Sequence, residues 1–360
     1  MSALSKPEIA AAESAALKPC GGGFFQLASL PDPVGYAGNF AAPLGGRLLT
    51  GGGSQFPDKP LWLDGQKTYT DRIFALASLT GEWQESATRL PLKMAHFAAA
   101  ASDRAIYLAG GMGAEGLFKQ VFALTEKNQQ LEVRALPELP RAVAYGAAAV
   151  ANGRLYVAGG QHDPAVKVAS KEVWSLDVQA GAAGAAWRRE PDLPGIGAFV
   201  GAMASDGRTV YFIGGVGFDA AGKAVQSKKI YRLAVGATEW ETLPDMSEPR
   251  VGPVTPCPVI EGKRIVVMGG YASIFPGERR DHPGFSAQTF IYDIAQGAWS
   301  AGPVLPHVKP TNKDATGDVG PAPMVAAPGA VWQDYFIAVG GEVRASVRTP
   351  SVVAIPLRAL

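Results

Sequence analysis

The sequence predicts an all-β fold, a six-bladed β-propeller whose last blade is closed by a strand from the N-terminal part of the chain. Three observations predict it. Six apolar runs end in a glycine pair: RLLTGG to Gly52, IYLAGG to Gly111, LYVAGG to Gly160, VYFIGG to Gly215, IVVMGG to Gly270 and FIAVGG to Gly341, at intervals of 59, 49, 55, 55 and 71 residues. A second aliphatic or aromatic run follows each one: IFAL from Ile73, VFAL from Val121, VWSL from Val173, IYRL from Ile230, FIYDI from Phe290 and VVAI from Val352. The sixth unit ends at VVAIPLRAL without residues for a fourth strand, while FFQLASLPD, residues 24–32, reads as an outer strand with no unit of its own.

Each unit contains four short strands bounded by Pro and Gly turns. The innermost is rich in small residues, as in AHFAAAA and YGAAAV, which suits a position where blades converge on an axis. The second, such as LYVA, is apolar at consecutive positions, so both of its faces must be covered. The glycine pair permits positive φ and a close approach of neighbouring backbone. The third run is followed in four units by a tryptophan, Trp83, Trp187, Trp240 and Trp299, and Leu131 takes that place in the second unit. The fourth strand of the sixth unit is assigned to residues 24–32, because joining the chain ends leaves no partly built blade. Residues 1–22 read as a loosely held tail, and residues 23–360 as one propeller domain.

Composition narrows the functional classes. Among 360 residues, 47% are apolar and 18% charged, with 33 basic against 32 acidic residues and a net charge of +1. That balance leaves no nucleic-acid footprint and no dense basic run for a membrane surface. No stretch approaches a membrane-spanning apolar helix. Cys20 and Cys257 lack metal-type spacing and are expected to be free thiols. The first residues, with Glu8 and Glu13, lack a secretion-signal pattern, so the chain as written reads as cytoplasmic.

Motif by motif, most of the chain reads as scaffold. GMGAEG, from Gly111, fits a dinucleotide-type glycine pattern without a βαβ context. GFDAAGKA, from Gly217, lacks the Ser or Thr that a phosphate loop places after its lysine, and reads as a hairpin. The four histidines are dispersed and no metal is expected. No serine or cysteine stands in a nucleophile motif.

The exception is GGEVRASVRT, in which the last glycine pair leads into Glu342 and then Arg348. Such a Glu–Arg pair reads either as a loop salt bridge on a solvated face or as a reactive site. A glutamate directly after a buried strand should sit near the axis, where it can act as acid or base. An arginine six residues on can hold a carboxylate in a bidentate fork. Three long segments, 54–69, 271–288 and 301–320, should rise around this spot, and long loops on a rigid scaffold are where binding concentrates.

The repeats resemble the kelch repeat, at roughly its ~50-residue period, over about residues 23–360. GGEVRASVRT is further similar to the G-E-x5-R-T segment of the bacterial N-acetylneuraminate epimerases, the sialic acid mutarotases, which are six-bladed kelch propellers. The segment from LPDPVGYAGNF to GQKTYTDRIFAL looks like another blade of that family in rotated order, as in its cyclically permuted branch. The resemblance implies an isomerase of carbohydrate metabolism that interconverts the anomers of a sugar acid such as sialic acid, without cofactor. Glu342 and Arg348 would be the catalytic pair, and Arg344, Asn39, His96 and Tyr145 would line the pocket. The family's typical members carry export signals, which implies a periplasmic location if a signal was removed. The rival expectation is a non-enzymatic kelch scaffold that binds a protein or glycan through its loop face, because fold alone does not decide function. A related sugar lyase, or a mutarotase of a neutral sugar, is a third.

Overall fold

The structure, a computed structural model, describes residues 16–179, 185–307 and 321–360. Six antiparallel sheets of four or five strands form six blades in chain order, consistent with a kelch-type propeller. Blade one runs from the inside outward as Phe40–Leu44, Arg47–Gly51, Ile73–Leu76 and Gln84–Glu85. Blades two to five repeat that order. The apolar second strands are buried on both faces because the core lies between blades. Each of the six principal core clusters draws on two adjacent blades, as when Leu48 and Phe74 of blade one meet Ile337 and Val352 of blade six.

Blade six is built as Gly329–Trp332, Tyr335–Val339, Val352–Pro356 and then Phe24–Leu27, with Phe25 opposite Ala354 and Leu27 opposite Val352. The expected closing strand is therefore present. Lys18–Gly21, read from the sequence as part of the tail, instead pairs with Phe24–Leu27 as a fifth, outermost strand. Leu17, also read as tail, is buried in the core between blades six and one, and residues 1–15 lie outside the described residues. Cys20 and Cys257 are both free. No helix among the described residues is long and apolar enough to cross a membrane.

The glycine pairs have one structural task. In every blade the second glycine donates its N–H to a carbonyl of the next blade: Gly53 to Met94, Gly111 to Val143, Gly160 to Ala198, Gly215 to Arg250, Gly270 to Met324, and Gly341 to Tyr36, all at 2.7–2.9 Å. The first glycine lies against the same carbonyl, and all twelve glycines have positive φ. In blade one this assigns the pair to Gly52–Gly53, one residue beyond the RLLTGG reading, because only those two adopt the left-handed backbone there. A run of three glycines is degenerate as sequence and decided by conformation.

The tryptophans also work between blades. The indole N–H of Trp83 donates to Ala28 O, of Trp187 to Pro137 O, of Trp240 to Pro191 O and of Trp299 to Pro244 O, each in the preceding blade's outer turn. In blade two, where Leu131 replaces the indole, the Thr88 hydroxyl of blade one donates to Leu131 O instead.

At the axis, one residue per blade takes a left-handed conformation: Gly38, His96, Tyr145, Val200, Gly252 and Ala326. Their amides run around the ring, with His96 N–H on Gly38 O, Tyr145 on His96 O, Val200 on Tyr145 O, Gly252 on Val200 O and Gly38 on Ala326 O. The residue before each of these bridges to the residue after a glycine pair: Ala37 to Ser54, Ala95 to Met112, Ala144 to Gln161, Phe199 to Val216, Val251 to Tyr271, and Val325 to Glu342. Six equivalent positions thus surround the axis on the glycine-pair face, and Glu342 is the only acid among them.

Candidate functional site

Glu342 and Arg348 are cross-strand partners in a small hairpin, Glu342–Arg344 against Val347–Arg348, with a bulge and a left-handed Ser346 at its turn. Their side chains form an ion pair of 2.6 Å between Arg348 Nη1 and Glu342 Oε1. The Ser346 N–H donates to Glu342 Oε2 at 3.0 Å. The glutamate side chain keeps 19% of its surface exposed, whereas the arginine keeps 2%. The two side chains therefore face different surroundings. Arg348 is turned into the protein: Nε donates to Ser54 O at 3.0 Å, Nη2 to Ser54 Oγ at 3.4 Å, and the guanidinium lies 5.0 Å from the Phe56 ring centre. The guanidinium thus grips Glu342 and blade one.

Two of the long segments stand over this hairpin as expected. Trp62, in the 54–69 segment, packs on Val343 and Val347. In the 271–288 segment, a Cβ on Gly284 would lie 3.7 Å from Val343 O. That segment carries an aromatic group in which His282 lies 5.2 Å from Phe275 and 4.8 Å from Phe285, and Phe285 lies 6.2 Å from Tyr271. Most of the third segment, residues 308–320, lies outside the described residues.

The other sequence candidates divide. His96 joins the floor: its ring occupies the space that a Cβ on Gly38 would fill, Nε2 lies 3.4 Å from Ser54 Oγ, and the ring lies 4.7 Å from Tyr145. Tyr145 follows it around the axis and meets Phe199 at 6.4 Å. Arg344 is buried on the hairpin beside His282, whose imidazole burial and then Arg344 hold below its usual range. Asn39 is not a lining residue, because its amide turns between blades and donates to Thr50 Oγ1 at 3.0 Å and to Val339 O.

Electrostatics sort these groups into charged and neutral. Burial, with Lys67 and Arg348 nearby, pushes His96 well below the usual imidazole range, so it is a neutral ring at neutral pH. Burial pushes the Tyr145 phenol up to about 12, helped by Tyr69 and Glu342. It does the same to Tyr271, about 12, with Glu342 as the second cause. Both stay protonated and can donate. Lys67 is pulled down by burial and then by Arg348 and Arg279, with Glu342 opposing. Among the described residues the floor thus holds one carboxylate, Glu342, among cations and protonated phenols. No family model matches the chain, and no curated protein matches it.

Sequence reasoning missed Ser54, Phe56, Lys67, Tyr69 and Tyr271. Ser54 and Tyr271 were accessible from the repeat, since each follows a glycine pair once the first pair is set in register. Lys67 and Tyr69 are placed only by the hairpin Ser54–Gln55 against Thr68–Tyr69, which no repeat announces.

The neutral His96 has a consequence for acid stability. The unfolded chain takes up a proton near the ordinary imidazole value of about 6.5, while the folded floor refuses it until lower pH. The contribution is therefore fully present above about pH 6.5 and is lost as pH falls through the window below it. His96→Asn removes the titration and keeps a residue tolerant of the left-handed backbone. Its Tm should fall less steeply than wild type between about pH 6.5 and pH 4.5. Parallel curves would reject the account.

Proposed function

We propose that the protein is a mutarotase that interconverts the anomers of a sugar acid such as N-acetylneuraminate, with Glu342 as its proton-transfer group. The observation that carries the reading is Glu342 itself. It is the one acid of the six axial positions, it is partly exposed, and it is held by Arg348 on one oxygen and by the Ser346 amide on the other. The resemblance of GGEVRASVRT to the mutarotase segment supports the same reading.

The chemistry asked of the site is modest. The anomeric hydroxyl gives its proton to Glu342 and the ring oxygen receives one, so that the C–O bond opens to the carbonyl form. The C–C bond turns and the ring recloses on its other face. On reclosure Glu342 returns its proton to the carbonyl oxygen and the ring hydroxyl returns its own to the donor, so atoms and charge balance without an electron acceptor. The protonated phenols of Tyr145 and Tyr271 are donors available to the ring oxygen. Arg348 acts as a positioning residue, because its guanidinium is committed to Glu342 and Ser54.

A scaffold function has one observation in its favour. Val166, Val168 and Ile196, in loops of blades three and four, and Val225, in the hairpin strand Ala224–Gln226, are exposed apolar residues. The experiment that separates the two readings is proton NMR of freshly released α-N-acetylneuraminate. Faster appearance of the β anomer with the protein supports the mutarotase. An unchanged rate at saturating protein rejects it.

A further inference from the structure

We propose that Lys67, and not Arg348, receives the carboxylate of the ligand, so that the site's preference for sugar acids is set by the loop of blade one. The inference rests on the reading of the site as a sugar-acid pocket. It starts from the burial of Arg348, which has 2% of its side chain exposed and its nitrogens directed to Glu342 and Ser54. A carboxylate arriving above Glu342 must meet a different cation.

Lys67 is placed for this by the blade-one hairpin. Ser54 pairs with Tyr69 and Gln55 with Thr68, so continuing the register sets Lys67 opposite Phe56. The Phe56 ring carries the Arg348 guanidinium at 5.0 Å. The ammonium lies over the Tyr69 ring, 5.9 Å from its centre, in a cation–π contact. Glu342, Arg348 and Arg279 all act on it electrostatically, the last from the fifth-blade loop. Three cations therefore act around one carboxylate that is already paired. No ion pair or hydrogen bond holds Lys67 among the described residues. A cation that is partly desolvated and repelled by two neighbours gains most from an incoming anion. A ligand that places its carboxylate at Lys67 sets its sugar ring toward Glu342.

The test is NMR titration of the full-length protein with N-acetylneuraminate and, separately, with its methyl ester. Wild type is compared with Lys67→Met and Lys67→Arg, and anomer exchange is recorded on the same samples. Lys67→Met should weaken binding of the acid roughly 10- to 100-fold, the worth of a charge-assisted contact, and leave ester binding unchanged. Lys67→Arg should keep most of the acid affinity. Wild-type binding of the acid in Lys67-dependent fashion without faster anomer exchange would uphold the inference and overturn the mutarotase reading. Faster exchange by wild type with acid affinity unchanged in Lys67→Met would overturn the inference alone. Equal loss of acid and ester in Lys67→Met, or no acid binding by wild type, would also overturn it.

Discussion

Glu342→Gln should lower catalysed anomer exchange by roughly 10²–10⁴-fold, the range for a lost acid–base group. Glutamine matches glutamate in size and keeps an acceptor for the Ser346 amide, so the hairpin geometry has a reason to persist. What it loses is the ability to take a proton from the anomeric hydroxyl. The effect should fall on kcat, with little change in the ligand affinity read by titration. The substitution also leaves the buried Arg348 charge without its anion, which destabilises the site hairpin. The rate must therefore be measured on protein whose Tm and near-UV circular dichroism show a folded propeller. Exchange within threefold of wild type in such protein would remove Glu342 from the mechanism.

Gly214→Ala should destabilise the fold by on the order of 3–5 kcal/mol and lower Tm by roughly 5–15 °C. Its φ is +63°, and an added Cβ would lie 2.1 Å from Arg250 O, the atom that accepts the Gly215 N–H at 2.7 Å. The left-handed backbone alone costs alanine about 1–2 kcal/mol. The remainder comes from pushing blade five away from blade four. Arg250 cannot yield easily, since its side chain is fully buried, lies 4.6 Å from the Phe290 ring centre and donates to Glu248 and Ser286. Gly236 supplies the control: its φ is +87°, but nothing lies within 4 Å of the position that an added Cβ would take. Gly236→Ala should show the backbone part only. Equal losses in the two variants would mean that the close approach between blades carries no energy.

Most of the fold was legible because it is periodic. Each glycine pair marks the point where one blade meets the next, and each tryptophan marks a turn of the preceding blade, so sequence spacing maps directly onto angle around the axis. Residues 24–32 were legible for the complementary reason, as a strand with no unit to join. Lys18–Gly21 was not, because an outermost strand needs no apolar run and KPCG carries none. At the site, Glu342 and Arg348 were legible from their place after a glycine pair. The orientation of Arg348 was not, since it is set by a hydrogen bond to Ser54 O, remote in sequence. Asn39 failed on the same ground. Its neighbour Gly38 is on the axial ring, yet its own amide belongs to the seam between blades. Lys67 was hidden because loop residues follow the register of their own hairpin and not that of the repeat.

The pairing of Phe25 with Ala354 also has a meaning for the order of events in the cell. The strand Phe24–Leu27 leaves the ribosome long before Val352–Pro356 exists, so it emerges with its partner still unmade. Through most of synthesis blade one lacks its neighbour on one side, and the growing arc exposes a sheet face that only blade six will cover. Such exposed sheet surface is what draws chaperones or other nascent chains. The Gly341 amide and Tyr36 O meet only when the last blade is made, so ring closure is a late, non-local step of the kind that slows folding. A ring sealed by strands from its two ends is thus vulnerable while it is being made, and best protected once it has closed.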